Sequence, residues 1–304
     1  MKRRRRKRKW YSTSIFHFNV LISHKYTLFL SVDGNFRLQR KNKKGDPDDV
    51  ALNKGRAYFV KSEEFDEYLR IVQPSDDVRQ LFISTQTLLT VAQKGTCAHL
   101  RAARMQNVVR FKNAVISGVV GVQCARHGFY MPSGIVDLKK GEAHVHSLFY
   151  KRKCLTTLRY ANTDYAIAHS LAEAKDQRWI MISYDIWCQY SVNIQKRFEK
   201  WLPGASMLLP RIRGAIPKMH IKNHIASCQQ LWAFNYLRYS GETWGENIEG
   251  SWAEQNQAAG STKEQNDGHR HDTLDDVFGF WNWTKLHQMC ESLHFSRERT
   301  YTVG

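Results

Sequence analysis

Four carboxylates have the type and setting for chemistry. Asp33 lies in a stretch where Leu28, Leu30, Val32, Phe36 and Leu38 alternate with Ser31, Asp33, Asn35 and Arg37. That period of two predicts a strand with the acid on its polar face. Asp185 closes the apolar run from Trp179 to Ile186, the pattern of a buried, parallel strand. Glu246 and Glu249 are three apart within Gly245 to Ala259, where Ile248 and Trp252 recur at helical spacing, so a helix sets both acids on one side. Carboxylates brought together from two strands and a helix repel one another unless a cation compensates. Mg²⁺ or Mn²⁺ suits such a set. Two such ions about 3.5–4 Å apart clamp the attacking and leaving oxygens of phosphoryl transfer. The chain has 28 acids, so spacing alone does not select this set.

Cysteines and histidines form a second group. Cys124-Ala125-Arg126-His127 is a Cys-x2-His half-site, and Cys97 and His99 upstream are candidates to complete a four-ligand Zn²⁺ site. His220, His224 and Cys228 follow at intervals of four. On one unbroken helix His220 and Cys228 would lie about 12 Å apart along the axis, beyond the reach of one ion, so all three share zinc only where the helix breaks. Buried cysteines and hydrogen-bonded histidines are the plain alternative.

The elements that must position these residues read as α/β. Residues from Glu63 to Gln93 are expected to be mostly helical, and Val108 to Gly121 suggests strands leading to Cys124. Thr163 to Asp176 carries Ile167, Leu171 and Ala174 at helical spacing, ahead of the strand that ends in Asp185. Leu202 to Pro217 holds three of the six prolines and reads as a connector.

Composition narrows the function classes. The chain has 304 residues, 42% of them hydrophobic, with 9 Trp, 13 Tyr and 15 Phe, which is ample core material and excludes disorder throughout. No apolar run reaches about 18 residues, so no membrane partner is expected. Six cysteines are too few for a disulfide scaffold. The 46 basic and 28 acidic residues give a net charge of +18. Eight of the basic residues are consecutive, Lys2 to Lys9, and the rest of the chain stays basic without them. A basic tail on a basic body points to a polyanion, nucleic acid first, and the tail reads as disordered and as a nuclear localisation or nucleic-acid patch. A mitochondrial presequence shares its acid-free basic character. A secretory signal does not fit, because Ser12, Thr13, Ser14, His17 and Asn19 interrupt the following segment.

The ordered set of motifs resembles the Kyakuja–Dileera–Zisupton (KDZ) transposases. The blocks are Thr96-Cys97 with Arg101-Ala102-Ala103, Cys124 to Gly128, Val136 to Glu142, Tyr184-Asp185-Ile186 with Cys188-Gln189-Tyr190, then His220, His224 and Cys228, then Gly245-Glu246 with Glu249 and Trp252. They span roughly Ser31 to Trp283. The resemblance implies a DDE-type catalytic domain: an RNase H-like mixed sheet flanked by helices, carrying a Cys/His-bearing insertion. It implies Asp33, in Asp33-Gly34-Asn35-Phe36, as the first acid and Asp185 as the second. The third is Glu249 or Glu246, with Glu249 favoured because related enzymes place the acid three residues before an aromatic, here Trp252. Departures are Trp244 where the family usually has Asp, and Leu100 where a His often follows the first Cys by three. Members are commonly longer, with an N-terminal Cys-rich DNA-binding region, so the chain resembles a fragment or derivative of such a protein.

The expected organisation is a basic tail and lead-in over 1–25, a catalytic domain over 26–290 with an insertion around 90–150, and a tail over 291–304. The expected activity is Mg²⁺- or Mn²⁺-dependent cleavage and joining of DNA strands in the nucleus. Lys151, Arg152 and Lys153 would neutralise backbone phosphates, and a homo-oligomer is the other partner expected. The alternatives are an inactive, transposase-derived DNA-binding protein and a general nuclease of the same fold.

Overall fold

The computed structural model describes residues 26–72, Cys97, 113–139, 152–241 and 243–301, and the side chains among them outside 152–159 and 290–301. The basic run Lys2–Lys9, the stretch from 73 to Gln93, His99, Lys151 and the side chains of Arg152 and Lys153 lie outside the described residues.

The fold is a six-stranded mixed sheet flanked by helices. Its strands are β1 (Thr27–Asn35), β2 (Arg40–Lys41), β3 (Ala114–Cys124), β4 (Tyr130–Lys139), β5 (Trp179–Tyr184) and β6 (Ile212–Ala215). Central β1 runs antiparallel to β3 on one side, with Asp33 opposite Gly121, and parallel to β5 on the other, with Val32 opposite Tyr184. The antiparallel strand β4 and the two-residue β2 also pair with β3, and β6 extends the sheet parallel to β5.

Parallel neighbours need crossover connections. Helix α1 (Ser62–Val72) precedes β3, and α2 (Arg152–Ser170) connects β4 to β5. Helices α3 (Trp187–Tyr190), α4 (Ile194–Trp201) and α5 (Pro203–Ser206) connect β5 to β6. After β6 come α6 (Ala226–Trp232), α7 (Asn247–Gln255), α8 (Ala259–Thr262) and the 35-residue α9 (Asp267–Tyr301).

Period-two alternation along the strands gives the sheet a core on each face. Leu30 and Val32 pack with Val120, Val122, Ile180 and Ile182 against Phe65 of α1 and Tyr165 and Ile167 of α2. On the other face Val119 and Ile135 meet Ile248 and Trp252 of α7 and Leu274 and Phe278 of α9. The polar face of β1 is therefore covered: Ser31 and Asn35 are buried, and Asn35 Nδ2 donates to Asn256 Oδ1 at 3.0 Å.

Two buried ion pairs fix helices to this frame. Arg197 of α4 donates twice to Asp164 of α2, at 2.6 and 3.0 Å. Arg270 of α9 is fully buried and reaches Asp137 of β4 at 2.8 Å and the Leu38 carbonyl at 2.9 Å, while His271 Nε2 lies 2.7 Å from the other Asp137 oxygen.

Three sequence expectations are corrected. The region 90–150 is not an insertion in its described part, because β3 and β4 are integral strands of the sheet. The connector Leu202–Pro217 contains β6. That strand is four residues long, includes Gly214 and lies between prolines, so only its pairing with β5 makes it a strand. The final helix runs on to Tyr301, past the start of the expected tail at residue 291.

Candidate active site and metal centre

Asp33 and Asp185 arrive on neighbouring strands. The β1–β5 register ends at Val32 opposite Tyr184, and the two aspartates are the next residues of each chain segment. Asp33, still paired to β3 within β1, and Asp185, one residue past the end of β5, thus stand side by side. The α7 helix brings the third acid. Its N-cap is Glu246, and Glu249 sits in its first turn, where the helix dipole favours negative charge.

Two packing details seat this helix over the strands. Gly245 has φ +79, and a Cβ there would collide with Ser183 of β5 and the Phe234 ring, so only glycine lets the chain enter α7 this close to the sheet. The Trp252 indole lies across Gly121 of β3, and its Nε1 donates to Asp33 Oδ2 at 3.1 Å.

Burial and neighbouring charges set the proton affinity of each acid. Burial is the main reason the Asp33 carboxyl is pushed up to about 7, with Asp185 and Glu249 adding to it. Asp185 is raised as well, first by burial and then by Glu249, against the pull of His220 and of the Ile186 N–H, which donates to Asp185 Oδ1 at 2.7 Å. Glu249 is lowered, chiefly because His220 Nε2 lies 2.5 Å from Glu249 Oε1. His220 is raised by the same contact and, less, by Asp185 and Asp33. His220 therefore neighbours all three acids.

Glu246 turns away, and its carboxylate accepts the Met219 N–H. The structure thus separates the two glutamates that spacing left equivalent. The carboxylate set is not among the groups of three or more ligating residues whose atoms all lie within 4.8 Å of one another. A pair of ions does not need that closeness, since each is shared by only some of the acids. Partly buried carboxylates, two of them with raised proton affinity, beside one histidine fit hard divalent ions.

Next to Glu249 opens a cleft of about 840 Å³ whose walls include Arg126, His127, Trp244, Trp281 and Lys285. Cations lie over aromatic rings along it: Lys218 over Trp244 at 4.6 Å and Lys285 over Trp281 at 4.4 Å. Basic groups interleaved with aromatic faces suit a nucleic-acid strand.

The zinc candidates divide three ways. His220 joins the acids. Cys124 and His127 form a separate pair, Sγ to Nδ1 3.5 Å. Burial opposes ionisation of Cys124, yet the His127 contact and the backbone N–H groups of Arg126 and His127 bring the thiol below its usual range. Cys97 meets neither residue of that pair. It gathers instead with Cys188, His224 and Cys228, all buried, with ligating atoms within 4.8 Å of one another. The helix between His220 and Cys228 does break: a 3-10 turn covers Ile221–Asn223, His224 is extended, and α6 starts at Ala226. Sequence reasoning missed Cys188 as a member of this cluster. Its signal was present, a cysteine three residues after Asp185 at the start of a helix. The Trp252 bond to Asp33 had no signal in spacing.

Among the described residues no helix is long and apolar enough to cross a membrane. Searches of curated proteins and of solved structures return no match to the chain. The model of the Kyakuja-Dileera-Zisupton transposase family matches residues 26–282, from the first residue before β1 to the middle of α9, and the chain belongs to that family.

Proposed function

We propose that the chain is a DDE-type DNA strand transferase with an RNase H-like core, in which Asp33, Asp185 and Glu249 hold two Mg²⁺ or Mn²⁺ ions. One observation carries the reading: Asp33 and Asp185 stand at adjacent positions of two neighbouring parallel segments, and α7 sets Glu249 close enough to raise the proton affinity of both. The antiparallel run β1–β3–β4 followed by parallel β5 and β6 supports the RNase H-like assignment.

When bound, the ions would activate the attacking oxygen and neutralise charge on the scissile phosphate. The protein's own residues do the rest. Trp252 Nε1 and the Ile186 N–H each fix one oxygen of an aspartate, leaving the other oxygen to ligate. His220 holds a proton on Nε2 against Glu249 Oε1, which keeps that carboxylate ionised. Arg126, Lys218 and Lys285 attract the phosphate backbone, and Trp244 and Trp281 offer faces for bases. Water as attacking group cleaves a phosphodiester, and the 3′-hydroxyl so freed then attacks a second one, with the displaced strand end leaving each time.

The test is a Mg²⁺-dependent nicking and end-joining assay on DNA with the parent chain and Asp185→Asn. The parent nicks and joins, while the variant binds DNA without cutting it. Equal cutting by both would overturn the reading. Salt-sensitive binding without any cutting by the parent would indicate a DNA-binding derivative, and cutting without joining a nuclease.

A further inference from the structure

We propose that Cys97, Cys188, His224 and Cys228 bind one zinc ion in a closed tetrahedral site that staples the turn carrying Asp185 to the loop carrying His220. The ligand set is three sulfurs and one imidazole nitrogen, a common composition for structural zinc. All four residues are buried, and their ligating atoms lie within 4.8 Å of one another. Cys188 Sγ and His224 Nδ1 are 3.6 Å apart.

The His224 ring turns Nδ1 toward the Cys188 sulfur, and the four cysteines described in the chain are all free thiols, so nothing covalent ties the three sulfurs together. Zinc would displace the three thiol protons and take their place, leaving a singly negative centre. The Ile225 N–H already donates to Cys97 Sγ at 3.4 Å, a bond that stabilises a thiolate more than a thiol.

The ligands come from three separate places in the chain. Cys188 lies on α3, directly after Asp185. His224 and Cys228 flank the start of α6, just after His220. Cys97 comes from the segment between α1 and β3. One ion would bind all three segments together. The site stands whether or not the carboxylates are catalytic, because none of its ligands is one of the acids.

Metal analysis of the full chain, purified without chelators, tests this. One zinc per chain is expected, and Co²⁺ added after zinc removal should give the intense visible bands of a tetrahedral, thiolate-bound ion. Cys188→Ser and Cys228→Ser lose the ion. Cys124→Ser and Asp185→Asn keep it, which separates this proposal from the strand-transfer reading. His224→Cys preserves four ligands and retains the metal, so a folding defect in the serine variants leaves the proposal testable. A parent chain free of zinc, an octahedral Co²⁺ spectrum, or loss of the ion from Cys124→Ser would overturn it.

Discussion

Asp33 and Asp137 are both desolvated aspartates on strands of one sheet, and they are treated in opposite ways. Burial alone would raise Asp137, but Arg270 and His271 outweigh it and hold its carboxyl well below the usual carboxylate range. Asp33 receives one indole N–H and the Gly34 backbone contact, and it faces two more acids. The first arrangement is complete in the folded chain. The second leaves negative charge unmatched, which folding alone does not favour, and such sites are where function tends to be located.

Breaking each site should therefore read out differently. The largest effect is on chemistry: Asp33→Asn lowers Mg²⁺-dependent DNA cleavage by on the order of 10³-fold, measured under single-turnover conditions. Its stability, followed by urea unfolding without metal, is unchanged or rises by up to about 1 kcal/mol. Arg270→Met does the reverse. It strands Asp137 in the core and costs about 3–5 kcal/mol in the same unfolding measurement.

The pH dependence sharpens the contrast. Asp33 has a raised value near 7, so the folded chain holds that proton more tightly than the unfolded chain, and metal-free stability falls as pH rises from about 4 to 7. Mg²⁺ must displace the same proton, so its affinity, measured calorimetrically, weakens by about tenfold per pH unit below 7. Asp137 has a depressed value, and its contribution is present above the ordinary carboxylate range and lost as pH falls below it. The smallest change is Trp252→Phe, which removes the bond to Asp33 and costs about 1 kcal/mol in Mg²⁺ binding.

What the sequence made legible was local. Alternation around Val32, the apolar run before Asp185 and the Ile248–Trp252 spacing each mark an element whose own side chains set its period, and β1, β5 and α7 are there. What it hid was decided by distant partners. β6 is a strand because β5 offers it an edge. His220 stands with the acids because the chain turns after Pro217, and Cys97 ignores Cys124 because β3 carries the latter elsewhere. Spacing also could not choose between Glu246 and Glu249. The choice depends on which carboxylate the Met219 N–H occupies.

The layer that covers Asp33 is built from α7 and α9, late in the chain, while β1 is the first strand among the described residues. During synthesis the strand bearing the first acid leaves the ribosome long before Trp252, Leu274 and Phe278 exist to cover that face. A truncated product ending before α7 would lack Glu249 and expose the apolar underside of the sheet. Such a product would be prone to aggregate.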